Sequence, residues 1–482
     1  MAAQRGGEKI DATQRLTDTL KENRRGRAAG VYAICSANRF VLEAAMLQVR
    51  NDGSLLLIES TSNQVNQFGG YAGQTPAQFA SFIGKIASDL NFPAERIVLG
   101  GDHLGPHVWR KEGGSSAMQK AAELARACVQ AGYTKIHLDA SMHLAGDPGD
   151  AAAPLAQDIV GGRAADICKA AEEAHSELPP GSPAPLYVIG TDVPIPGGEL
   201  SDARAPEPTR PQDLAKTIQL TKRAFEARGL EAAWERVIAV VVQPGVEFGD
   251  ATVFNYRPEK ARALSQFVNN GWQGIYEAHS TDYQPPAALR QMVRDHFAIL
   301  KVGPWLTFAF REAVFALAAI EEEWLGNRKG IAISRVREAL EEAMLANPDH
   351  WKNYYGGDDA ALRFARKYSL SDRSRYYWAE PIVAAALQRL VGNLTLHPPP
   401  VSVLSQFLPG QVAAVRAGEI ANNPVALIHS KIREVIDHYA RACGGLDLRD
   451  GGDAVSWLTN ESKRYKKKTE TKAPRRRNVD RL

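Results

Sequence analysis

Residues 97–106 read IVLGGDHLGP, so an acid and an imidazole, Asp102 and His103, follow an apolar run and two glycines. At the end of a strand such a pair suits proton transfer beside metal ligation, and Gly100 and Gly101 let a substrate or another backbone come close. A second imidazole, His279, ends the run in YEAHSTDYQ, and Asp192 ends the run in IGTDVPIPGGE. Two imidazoles and a carboxylate suit a borderline divalent ion such as Zn²⁺, Mn²⁺ or Co²⁺, with a coordination position left for substrate oxygens. Glu199 sits on the PIPGGE loop, from which a carboxylate can close over a site once substrate is bound.

Other polar groups fall at similar places. The loop ESTSNQVNQFGGYAG offers Ser62 and Asn63 for sugar hydroxyls or phosphate. Asp139 ends the run KIHLDAS, Gln243 ends VIAVVVQ, and Lys301 ends FAILKVG. Schiff-base chemistry is open to Lys301, but beside a metal site an electrostatic or anion-binding role fits better. In YSLSDRSRYYW, Arg373 and Arg375 with Ser369 and Ser371 can grip a phosphate, while Tyr376, Tyr377 and Trp378 read as a packing anchor; the two readings stand level.

All the rim positions belong to eight short apolar runs, at 31–35, 55–60, 97–101, 135–141, 186–192, 237–243, 274–280 and 297–303. Between them lie amphipathic stretches such as 76–90, 117–131, 162–177 and 211–228. Apolar strands alternating with helices predict a parallel sheet covered on its outer face, and eight such units predict a (β/α)8 TIM barrel. Polar residues at the C-terminal ends of the runs sit where barrel enzymes keep their sites. After about residue 304 helical patterns follow one another, at 307–324, 333–346, 361–367, 382–394 and 424–442, with LHPPPVSVLSQFLPG as a rigid connector. The expected organisation is an N-terminal segment (1–27), a barrel (28–325), a helical C-terminal region (326–445) and a basic tail (446–482).

Composition sets limits. Of 482 residues, 44% are hydrophobic and 23% charged, a balance that folds. The net charge of +3 hides an asymmetry: from Glu461 onward there are ten Lys/Arg against three Asp/Glu, leaving 48 basic against 52 acidic residues in the rest. The tail reads as a solvated, disordered terminus rather than a nucleic-acid arm. Four scattered cysteines form no CxxC pair, and no apolar run is long enough to span a bilayer, so a reducing cytoplasm is the expected location. No GxxxxGK[ST] loop occurs, which points away from a P-loop kinase.

These motifs, together with ICSANRFVLEAAM and VVQPGVEF, resemble the accessory subunit family of class II D-tagatose-1,6-bisphosphate aldolases, the GatZ/KbaZ type, over about residues 28–440. The resemblance implies a class II aldolase-like barrel with a divalent metal. It implies that Asp102 handles protons, that His103 and His279 ligate, that Asp192 stands near the metal, and that Glu199 is the loop carboxylate. Gln243 falls where the catalytic aldolases carry a further histidine ligand. A subunit of this family is expected to partner a class II aldolase, whereas some members act as 4-epimerases of ketohexoses or their phosphates. The substrate is then a sugar or sugar phosphate bound by Ser62, Asn63, Asp139, Lys301 and Arg373. A homo-oligomer is expected, with no membrane or nucleic-acid partner.

Overall fold

A computed structural model describes residues 11–150, 153–191, 205–269 and 272–444. Among the described residues there are ten strands: β1 (Val31–Ile34), β2 (Leu56–Thr61), β3 (Ile97–Leu104), β4 (Lys135–Leu138), β5 (Leu186–Ile189), β6 (Val237–Val241), β7 (Glu247–Phe248), β8 (Val253–Phe254), β9 (Ile275–Ala278) and β10 (Phe297–Val302). Eight of them close a parallel barrel in the order β1-β10-β9-β6-β5-β4-β3-β2, and β7 and β8 form a small antiparallel hairpin after β6. The predicted (β/α)8 barrel is the fold of this chain. Its eight strands coincide with the eight apolar runs.

Alternation along each strand sorts the barrel interior into layers. Val31, Leu57, Val98, Val188, Ile275 and Ile299 belong to an apolar interior cluster, which the N-terminal helix Ala12–Arg24 joins through Leu16 and Leu20. Two residues further along their strands come charged groups, Glu59 after Leu57, Glu277 after Ile275 and Lys301 after Ile299, with Lys135 on β4. A second, larger core joins the outer faces of the strands to the helices.

Beyond the barrel the described elements are helical: Val336–Ala346, Asp359–Tyr368, Pro381–Leu396, Val401–Phe407, Pro409–Arg416 and Pro424–Ala442. The predicted rigid connector is itself largely helix, because Pro409 stands at the first position of a helix, where proline's missing N–H costs nothing, and Pro400 is only the N-cap of the helix before it. The last helix lies against the barrel: Tyr439 donates to the Thr281 carbonyl at 2.7 Å, and His429 Nε2 meets Glu43 at 2.9 Å. The segment around residue 370 is tied to the rim, with Tyr283 donating to the Leu370 carbonyl (2.6 Å) and Thr307 to Asp372 (2.6 Å). Among the described residues no helix is long and apolar enough to cross a membrane.

Candidate active site

Neighbouring strand residues normally point to opposite faces, yet Asp102 and His103 reach one site. The pairing of β3 with β4 shifts register between Gly101 and Leu104, and His103 takes a left-handed backbone with φ of 46°. A bulge of this kind re-aims a side chain, at a cost of about 1–3 kcal/mol for the unusual backbone. Glycines on either side of the pair serve space. Gly100 lies in register with both Glu59 and Lys135, and a Cβ there would stand 2.8 Å from the Glu59 side chain. At Gly105 a Cβ would stand 1.5 Å from the Asp139 carbonyl oxygen.

Asp102, His103, His137 and His279 form one buried cluster whose ligand atoms all lie within 4.8 Å of one another. Hydrogen bonds fix which ring nitrogen of each histidine is in use. His103 Nδ1 meets Asp139 Oδ2 at 2.6 Å, and His279 Nε2 meets Glu277 Oε1 at 3.1 Å. A carboxylate behind an imidazole holds the ring and raises the basicity of its other nitrogen, the usual support of a metal-ligating histidine. His137 is arranged differently. Its Nε2 faces the Gly190 carbonyl at 2.9 Å, and its Nδ1 accepts the His103 backbone N–H at 3.1 Å, so both nitrogens already serve the protein.

Under this cluster lies the charged layer. Lys135 is fully buried and stands 2.7 Å from both Glu59 and Glu277. Lys301 contacts Glu59 and Asp102 and lies 3.5 Å from Glu277. Burial works against the Lys301 ammonium, but Asp102 and the other acids hold its pKa well above the usual lysine value, so it is a cation and not an amine nucleophile. Burial opposes the charged Asp102 too, yet His103 and Lys301 keep its carboxyl well below the usual range. For His103 burial is outweighed by Asp102 and Asp139, which raise it to about 9, whereas burial pushes His279 down to about 3.

A divalent cation fits these residues. Three carboxylates, Asp102, Glu59 and Glu277, face two ammonium groups, a fourth, Asp139, backs His103, and the two supported imidazoles are donors for Zn²⁺, Mn²⁺ or Co²⁺. Ligation requires neutral His103, so binding would release the proton that its acids retain.

The remaining expected residues divide. Asp139 is engaged on both oxygens, by His103 and by the Ser141 hydroxyl (2.8 Å) and backbone N–H (3.2 Å), so it positions a ring instead of facing a sugar. Ser62 donates to the His103 carbonyl at 2.8 Å, and Asn63 accepts from Thr61 while its carbonyl accepts from the Tyr71 N–H. Both build the loop. Gln243 Oε1 accepts the N–H groups of Gly245 (2.8 Å) and Val246 (3.0 Å), which spends that oxygen on a turn. Arg373 lies with its guanidinium 3.0 Å from the Tyr354 ring centroid and donates to the His350 carbonyl at 3.1 Å, a packing role. Asp192 and Glu199 lie outside the described residues. His137 was legible as a polar group at the end of its apolar run, whereas Lys135 and Glu59 were not singled out, although the period-two spacing of Glu59 with Leu57 and of Lys135 with His137 was a usable signal.

A solved protein of Sinorhizobium meliloti 1021, described as a probable tagatose 6 phosphate kinase, is 41% identical with a TM-score of 0.78, covering 86% of this chain and 100% of that one. The YdjI aldolase of Escherichia coli K12 is 10% identical, with a TM-score of 0.37 over 79% of this chain and 95% of that one. A fructose-bisphosphate aldolase of Campylobacter jejuni is 11% identical, with a TM-score of 0.40 over 80% and 93%. Residues 16–444 match the D-tagatose-1,6-bisphosphate aldolase subunit GatZ/KbaZ-like family, and this chain belongs to it.

Proposed function

We propose that this chain is a divalent-metal-dependent 4-epimerase of ketohexoses or ketohexose 6-phosphates, interconverting fructose-type and tagatose-type sugars by retro-aldol and aldol chemistry. The observation that carries the reading is the pair His103 and His279, each backed by a buried carboxylate and set beside ionised Asp102. His103 and His279 would hold the cation, with Asp192 as the expected carboxylate near it. When bound, a divalent cation supplies polarisation of the ketose C2 carbonyl.

The rest is work for the chain's own groups. Asp102 accepts the C4 hydroxyl proton as the C3–C4 bond breaks, the bond's electrons passing to the C2–C3 unit and C4 becoming an aldehyde. Lys301, in contact with Asp102, stabilises that carboxylate before it takes the proton. The aldehyde fragment turns its other face, the C3–C4 bond re-forms, and the C4 oxygen recovers its proton. Glu199, in the PIPGGE segment, is assigned to the second proton transfer. Both fragments must be retained throughout, which the burial of Asp102, His103 and His279 favours.

The family match favours a second reading, a non-catalytic subunit partnering a class II aldolase. Incubating the purified chain alone with fructose 6-phosphate, tagatose 6-phosphate and the free sugars, with Mn²⁺, Zn²⁺ or Co²⁺, separates the two. The expected result is formation of the C4 epimer, lost by about 100-fold or more in Asp102→Asn and Glu199→Gln while metal stays bound. No epimer under any condition, together with activation of an added aldolase subunit, would establish the second reading.

A further inference from the structure

A cleft of about 240 Å³ opens beside the charged layer, walled by the turn after β1 (Cys35, Asn38), the loop after β2 (Gln64, Tyr71) and the C-terminal segment (Arg375, Tyr376). Cys35 joins it to the active site, because its sulfur lies within 4.8 Å of carboxylate oxygens of Glu59 and Asp102. The cleft therefore runs between Cys35, next to the charged layer, and Arg375.

Arg375 stands apart from the other cations of this region. Its guanidinium donates to the Ser371 and Asp372 carbonyls, the latter at 3.1 Å, and to the Tyr376 hydroxyl at 2.7 Å, and Tyr71 lines the cleft with it. Among the described residues no carboxylate oxygen comes within the 4.0 Å that defines an ion pair with it. The adjacent acid, Asp372, is committed to Arg311 (3.6 Å), Thr307 (2.6 Å) and Ser374 (2.7 Å). Arg39, also on the cleft, is already paired with Glu43 (2.7 Å) and Asp89 (3.2 Å). The rest of the motif is spent elsewhere, Ser369 and Ser371 on Asp250 and Arg373 on Tyr354.

A half-buried guanidinium with no carboxylate oxygen in ion-pair contact among the described residues, held by two carbonyls and a phenol while the nearby Asp372 is spent on other donors, is arranged to take an anion. We infer that Arg375 is the anion anchor of the active-site cleft and holds the phosphate monoester of a phosphorylated ketohexose whose carbonyl end lies at His103 and His279. The inference rests on the ketohexose reading and narrows it to the phosphorylated class. Substrate choice then belongs to a residue of the helical C-terminal region, supplied to a barrel that carries the bond-breaking groups.

Calorimetry on the full chain with fructose 6-phosphate, fructose and inorganic phosphate tests this. Wild type should bind fructose 6-phosphate at least about tenfold more tightly than fructose, and Arg375→Met should weaken the phosphate ester by about 30-fold while changing fructose by less than about twofold. Arg375 also ties a turn together, so Gln74→Glu, which adds a negative charge to the cleft wall, is the second variant; it should weaken fructose 6-phosphate and inorganic phosphate by about tenfold and spare fructose. Equal affinity of wild type for sugar and sugar phosphate overturns the inference. So does an unchanged fructose 6-phosphate affinity in folded Arg375→Met, or in Gln74→Glu should the first variant fail to fold. Absence of epimer formation with the expected binding pattern would instead sink the reaction and leave the anion anchor standing.

Discussion

Lys135 gives the sharpest test of the charged layer. It is fully buried at the start of β4, and its ammonium lies 2.7 Å from a carboxylate oxygen of each of Glu59 and Glu277. Lys135→Met keeps the length and apolar stem of the side chain and removes only the charge. Three acids, Glu59, Glu277 and Asp102, would then share Lys301 alone, so the excess of carboxylates over ammonium groups rises from one to two. Removing one partner of a buried ion pair costs about 3–5 kcal/mol, because the charge left behind has lost its water as well as its counter-ion. Urea unfolding of the metal-free chain, followed by tryptophan fluorescence, should show a loss of that size. In wild type, burial opposes the Glu277 charge but Lys135 and Lys301 hold its pKa well below the usual range. Without Lys135 that depression shrinks, so the folded state gives up stabilisation present above the unfolded carboxyl pKa, and the deficit should be greater at pH 8 than at pH 4. Adding Glu59→Gln restores the excess to one and should recover at least about half of the loss. A single variant within about 1 kcal/mol of wild type, or a double variant less stable than the single, would refute the claim that electrostatics organise this layer.

The metal centre and the rim offer further tests. His103→Ala and His279→Ala should each strip most Mn²⁺, Zn²⁺ or Co²⁺ from the chain, and Asp139→Asn should weaken metal binding by about 10–100-fold through His103; wild-type metal content by elemental analysis in all three would remove these residues from the centre. Asp282 accepts the Gly303 and Trp305 N–H groups at 3.0 and 2.8 Å, and burial pushes its carboxyl up to about 6 against those bonds. Its folded pKa then exceeds the unfolded value, so its contribution to stability should fall as pH rises from about 4 to about 6. Asp282→Asn keeps the acceptor oxygen and should flatten that part of the stability profile; an unchanged slope would mean the carboxyl is not raised.

Much of this molecule is written locally. The eight apolar runs and the helical stretches between them follow from side-chain periodicity, which short-range backbone geometry enforces, and so the barrel was legible. The rim residues Asp102, His103 and His279 were legible because strand ends are marked by the change from apolar to polar residues. What only tertiary structure decided involves chain segments that are far apart in sequence. The Glu59, Lys135, Glu277 and Lys301 layer needs four strands brought level by barrel closure, and Gly100 owes its missing side chain to that layer. Whether Asp102 and His103 share a face depended on a register shift against β4, which no property of IVLGGDHLGP announces. Arg373 and Arg375 lie two residues apart in one motif, and a turn that gives Asp372 a φ of 42° and runs on through the helical turn Arg373–Tyr376 sends one to pack on Tyr354 and the other to the cleft. Local pattern determines which elements form, because hydrogen bonding and burial act along the chain; which charges meet is set by the closed barrel, because Coulomb partners are chosen by distance in space.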